Sequence, residues 1–113
     1  MKIVKKTESE IHKNSESCIA MEYSIGDKDI NIAYIKVNGR YPDKGTVKNK
    51  VCKEMGYIVK GKGKLYIGDE VHTLEVGDVV LIKPGDKYYW EGEFEMVVPC
   101  SPAWYPEQHE VTD

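Results

Sequence analysis

Lys48, Lys50, Cys52 and Glu54 stand at alternate positions, so in an extended segment two ammonium groups, a thiol and a carboxylate share one side. If that side faces a protein interior, the carboxylate must be neutralised, because burying it alone is costly. Two lysines beside one glutamate carry the same net charge as a divalent cation beside it. Such a cluster would suit a small organic anion. The run Tyr88-Tyr89-Trp90 adds phenols and a large apolar ring. A phenol can donate a hydrogen bond or a proton. Each feature also has a plainer reading. Lysines at a loop entry are usually solvated, and an aromatic strand is more often core or interface than cofactor box. Cys52 reads as a small core residue, with no Cys-His-Asn arrangement around it. His12, His72 and His109 read as surface or turn histidines, although His109, after Gln108 near the C-terminus, has a route over any neighbouring cavity mouth.

The elements that must position these groups are short. The runs Cys18–Ile25, Ile30–Val37, Gly56–Lys60, Lys64–Ile67, Val71–Val76, Asp78–Lys83 and Phe94–Cys100 are rich in β-branched and aromatic residues. Turn signals separate them: Gly26-Asp27, Asn38-Gly39, Gly61-Lys62-Gly63, Gly68-Asp69, Gly77-Asp78 and Pro84-Gly85-Asp86. That rhythm predicts an antiparallel sandwich or barrel. No segment repeats apolar residues at helical spacing, so at most one helical turn is expected, near the N-terminus. Residues 1–16 read as an N-terminal arm or edge strand, residues 17–98 as the barrel, and residues 99–113 as a proline-rich tail. Pro99, Pro102 and Pro106 keep that tail out of helices and central strands. Trp104 and Tyr105 are expected to anchor it on the barrel or on a partner subunit.

Composition narrows the function. A chain of 113 residues suits a single domain. With 41% hydrophobic and 31% charged residues it is ordinary for a globular protein. A net charge of −3 and a pI near 5.6 lack the basic footprint of nucleic-acid binding. No apolar run reaches membrane-span or signal-peptide length, so a cytoplasmic protein without membrane contact is expected. Cys18, Cys52 and Cys100 are too few and too scattered for a disulfide framework.

Two segments resemble the signature motifs of small cupins. In Glu54–Gly61 (EMGYIVKG) the glutamate and glycine keep the spacing of the first motif. In Gly77–Gly92 (GDVVLIKPGDKYYWEG) Gly77 and Gly85 fall in register with the second, while Pro84 sits one place late and Lys83 takes its slot. The resemblance covers about half the chain directly and implies an all-β, cupin-type jelly-roll barrel (a double-stranded β-helix). It also implies three metal-binding histidines, and here the sequence departs. Their slots hold Lys48 and Lys50, or Val47 and Asn49 with the shorter offset, and Tyr88; Gly92 replaces a trailing asparagine. An ammonium has no lone pair for a metal. The resemblance therefore implies a barrel with degenerate metal motifs. The expected site is Lys48, Lys50, Glu54, Tyr88 and Trp90 around a ligand, with no metal and no other cofactor. The leading expectation is capture of a small organic anion. The alternatives are sugar or sugar-phosphate isomerase or epimerase chemistry by Glu54 and Tyr88, and an interaction protein whose barrel is filled by Trp90, Phe94 and Met96. A homodimer is expected under each.

Overall fold

A computed structural model describes residues 1–112. The β-rich runs become strands β1 (Glu10–Ser15), β2 (Cys18–Tyr23), β3 (Asn31–Tyr41), β4 (Thr46–Asn49), β5 (Lys53–Ile67), β6 (Glu70–Glu75), β7 (Val79–Ile82), β8 (Tyr88–Ser101) and β9 (His109–Thr112). Single 3-10 turns at Lys6–Glu8 and Pro106–Gln108 are the helical content of the described residues. No helix among those residues is long and apolar enough to cross a membrane.

All strand pairs are antiparallel and belong to one curled sheet. Strand β8 organises it, pairing with β3 from Asn31↔Cys100 to Tyr41↔Trp90 and with β5 from Lys53↔Ser101 to Ile67↔Tyr88. Alternation along β8 buries Tyr88, Trp90, Phe94, Met96, Val98 and Cys100 and turns Glu95, Val97 and Pro99 outward. Facing residues Ile58, Leu65, Ile82 and Val37 complete the packed core. Trp90 lies against Phe94 with ring centroids 5.0 Å apart. This is the jelly-roll barrel that the resemblance to small cupins implied.

Two turn signals do different work from that expected. Asn38-Gly39 does not end a strand: β3 runs on to Tyr41, and Gly39 pairs with Gly92. The Gly61–Gly63 stretch likewise lies within β5, where the β5–β8 register shifts between Ile58 and Lys60. Gly61 has φ +80°, and a Cβ there would strike the Glu93 carbonyl oxygen and Phe94 Cα. These glycines admit a neighbouring strand and its phenylalanine rather than reverse the chain. The hairpin at Gly68-Asp69 and the turns at Gly77-Asp78 and Pro84-Gly85-Asp86 stand where the turn chemistry put them.

Both ends of the chain join the sheet. Within the expected arm, β1 is an edge strand paired with β2. Strand β8 continues past residue 98 to Ser101, and the tail returns as β9 to pair with β4. That return decides the site.

Candidate functional site

A cavity of about 120 Å³ opens inside the barrel between β2, β3, β5, β8 and the tail. Glu54, Tyr88, Trp90, Tyr41, Cys100 and His109 contribute to its wall, along with apolar residues such as Met96 and Val98. The barrel is therefore filled only in part. Phe94 belongs to the packed core, while Trp90 and Met96 separate that core from open space.

Glu54 is the charged centre of this wall. The β5–β8 register sets it opposite Cys100. The Tyr88 hydroxyl donates to Glu54 Oε1 at 2.8 Å, and the Cys100 thiol donates to Oε2 at 3.4 Å. Burial, then the Glu54 charge and hydrogen bond, push the Tyr88 phenol well above its ordinary range. Burial and then Glu54 also push the Cys100 thiol far up, so it is no thiolate nucleophile. Tyr88 was expected to offer a proton to a ligand, but its hydrogen is committed to Glu54. It orients the carboxylate instead.

The lysines do not join this centre. Strand β4 ends at Asn49, and Lys50–Cys52 form a break before β5 begins at Lys53. The alternation assumed through Lys48, Lys50, Cys52 and Glu54 is reset there. Val47 and Asn49 are the inward residues, both fully buried. Lys48 leans across β9, its Nζ 3.9 Å from Glu110, and Lys50 is exposed. No lysine or arginine lines the cavity, whose acidic residues are Glu22 and Glu54. The physical basis for an anion site, two inward ammonium groups, is absent from this wall.

The tail supplies what sequence reasoning undervalued. Pairing of Asn49 with His109 across β4 and β9 carries the imidazole into the cavity wall. The ring sits between the Tyr41 hydroxyl, 3.1 Å from Nε2, and Asn49 Oδ1, 2.9 Å from Nδ1. Burial lowers the pKa of His109, an effect the nearby Glu54 charge opposes. Gln108, itself buried, caps the break after β4: its Oε1 accepts from the backbone N–H groups of Val51 (3.2 Å) and Cys52 (3.0 Å). Its Nε2 donates to Asn49 Oδ1 at 2.9 Å. Trp104 is fixed through Asn31 and packs near His109, whereas Tyr105 is exposed and anchors little. His12 and His72 lie outside, beside surface glutamates. The Pro106-Glu107-Gln108-His109 run was the available signal: a proline-started turn followed by two polar residues that return to the barrel.

The metal that the fold implies does not fit these side chains. The inward slots hold Val47, Asn49, Glu54 and Tyr88: an alkyl group, an amide, a single carboxylate and a protonated phenol. Among the described residues no three His, Cys, Asp or Glu side chains come together as a metal-binding group.

Comparison with known proteins accords with this architecture. The model of the cupin domain matches residues 44–99, and no curated protein sequence matches significantly. Among solved structures, Streptomyces PAC13 with uridine is similar at 20% identity and a TM-score of 0.88, over 97% of this chain and 88% of that one. Pac13 is described as a nucleoside dehydratase. KdgF from Halomonas sp. is similar at 16% identity and a TM-score of 0.68, over 88% of this chain and 92% of its own. Domain match, strand topology and motif glycines agree that the chain belongs to the cupin family, as a small member whose histidine slots carry other residues.

Proposed function

We propose that the cavity binds a small, uncharged, ring-bearing molecule with hydroxyl groups, such as a nucleoside or a sugar, and moves a proton on it without a metal ion. One observation carries this reading: Glu54, its two oxygens held by Tyr88 and Cys100, stands on a wall of aromatic and apolar side chains that holds no lysine or arginine. Trp90 and Trp104 offer ring surface for stacking. A carboxylate so oriented takes a proton from one atom of a bound ligand and returns it to another. That is the minimum for an isomerisation or for loss of water. The likeness to PAC13 with uridine supports the ligand class only through the shared fold. The lining supports it directly, because a phosphorylated ligand would meet Glu54 with no lysine or arginine on the wall to compensate.

The test is a titration of the protein with uridine and with uncharged sugars, following the indole N–H resonances of Trp90 and Trp104. Saturable shifts in wild type that weaken in Glu54→Gln support the reading. Indoles that respond only to phosphorylated or carboxylated compounds return the site to anion capture.

We also propose that the barrel pairs with a second copy through its outer face. Ile11, Met21, Tyr34, Val97, Tyr57 and Val79 follow one another in register across six adjacent strands. Met55 and Leu81 lie beside that row. Met55, Tyr57, Val79 and Leu81 are each about half exposed. A continuous apolar row on the outside of the sheet is unusual for a monomer. Light scattering during size-exclusion chromatography should report a dimer that Tyr57→Lys with Val79→Glu converts to monomer. A monomer in wild type removes the proposal.

A further inference from the structure

We propose that His109, delivered by the C-terminal tail, is a second proton acceptor of the cavity, working through the Tyr41 hydroxyl, with Gln108 and Asn49 as positioning residues that fix its tautomer. The proposal rests on the acid–base reading of the cavity and adds a residue to it.

The tautomer follows from a chain of donors and acceptors that starts at the backbone. Backbone N–H groups can only donate. Those of Val51 and Cys52 both point at one Gln108 side-chain atom, which must be the carbonyl oxygen. The other Gln108 terminus is then the amide nitrogen, so the Asn49 atom it meets must be an acceptor, Oδ1. The same Oδ1 faces His109 Nδ1, so Nδ1 carries the hydrogen. Nε2 is left with a bare lone pair, directed at the Tyr41 hydroxyl, which donates to it. Rotating the Asn49 amide would oppose its NH2 group to that of Gln108. Asn49 keeps the orientation that serves the histidine even though its Nδ2, fully buried, finds no partner among the described residues. That unmet donor marks how firmly the relay is set.

The chemistry balances. A ligand O–H proton passes to the Tyr41 oxygen as Tyr41's own hydrogen moves to His109 Nε2. The products are a ligand oxyanion, a neutral Tyr41 and an imidazolium. The titratable groups facing the imidazole are Tyr41 from β3 and Glu54 from β5; Asn49 on β4 and the Trp104 ring beside it are uncharged. The Glu54 charge favours the imidazolium, so the positive charge that forms meets a negative one already present. The Trp104 ring lies beside the imidazole, with centroids 5.7 Å apart and planes tilted by 55°.

The test uses the ligand-free full chain, so its outcome is separate from whether an uncharged ligand binds. Long-range proton–nitrogen correlation of the imidazoles should show His109 protonated at Nδ1 and bare at Nε2, unlike the exposed His12 and His72. Gln108→Met should abolish that single-tautomer signature in a protein that remains folded by circular dichroism. Tyr41→Phe should keep the tautomer and shift upward the pH at which Nε2 is protonated, because a hydrogen bond to the neutral ring is lost. A histidine not held between Asn49 and Tyr41 would show neither response. An Nε2–H tautomer in wild type, or a Tyr41→Phe titration identical to wild type, overturns the proposal.

Discussion

Tyr88→Phe tests the central pair of the cavity. The substitution keeps the buried ring and removes one hydroxyl, which donates to Glu54 Oε1 at 2.8 Å. A hydrogen bond to a charged acceptor contributes about 1.5–3 kcal/mol. Cys100 serves the other oxygen and does not replace the lost donor. Glu54 reaches the cavity and is only partly buried, so water recovers some of the loss and a net cost of about 1–2 kcal/mol is expected. For a domain of this size that corresponds to a fall in Tm of roughly 4–10 °C. Urea unfolding with unchanged slope should give the same difference through its midpoint. Glu54→Gln retains a carbonyl that accepts from Tyr88, so its cost should be smaller. In the cycle formed by Tyr88→Phe, Glu54→Ala, which removes the acceptor, and their combination, a coupling of about 1 kcal/mol is expected. Additivity within about 0.3–0.5 kcal/mol would show that the two side chains do not act as a pair and would refute the reasoning.

Three further outcomes are expected. His109 has a lowered pKa when folded, so the unfolded chain takes the proton first; its contribution to stability is whole above about pH 6.5 and is lost as pH falls below that value. Urea midpoints measured between pH 7.5 and 5 should therefore drop more for wild type than for His109→Gln. Burial and Glu54 raise Tyr88, and burial with neighbouring charge raises Tyr41, so their contribution is whole below the ordinary value of 10.0 and is lost as pH rises above it. Absorbance titration should find both phenols un-ionised until the protein unfolds. Gly61→Ala should cost about 2 kcal/mol or more, seen in the same urea assay, because φ is +80° and the new methyl meets the Glu93 carbonyl.

What was legible in the sequence was local. Gly68-Asp69, Gly77-Asp78 and Pro84-Gly85-Asp86 announce their turns through residues that need special backbone angles. Glu54 and Gly61 keep a motif spacing because the glycine admits β8 at the register shift. Glu54, Tyr88 and Trp90, picked out from motif slots and strand alternation, do reach one cavity. The break at Lys50–Cys52 was not legible. Nothing in a run of alternating polar residues reveals that the phase resets, and one step turned Lys48 and Lys50 outward in favour of Val47 and Asn49. The tail was not legible for another reason. Its contacts join Asn49 to Gln108 and His109, 59 and 60 residues away, and no local pattern encodes that closure. Gly39 and Gly63 were misread because a glycine that admits a neighbour and a glycine that turns a chain look alike in sequence.

The account depends most on a cavity whose fixed charge is a carboxylate and whose wall carries no lysine or arginine. Calorimetric titration of chelator-treated protein with uridine and with its 5′-monophosphate tests that most directly. Binding of the nucleoside without added metal, weakened on addition of the phosphate group, is predicted. Tighter binding of the phosphorylated form, or binding only after a transition metal is restored, would contradict it.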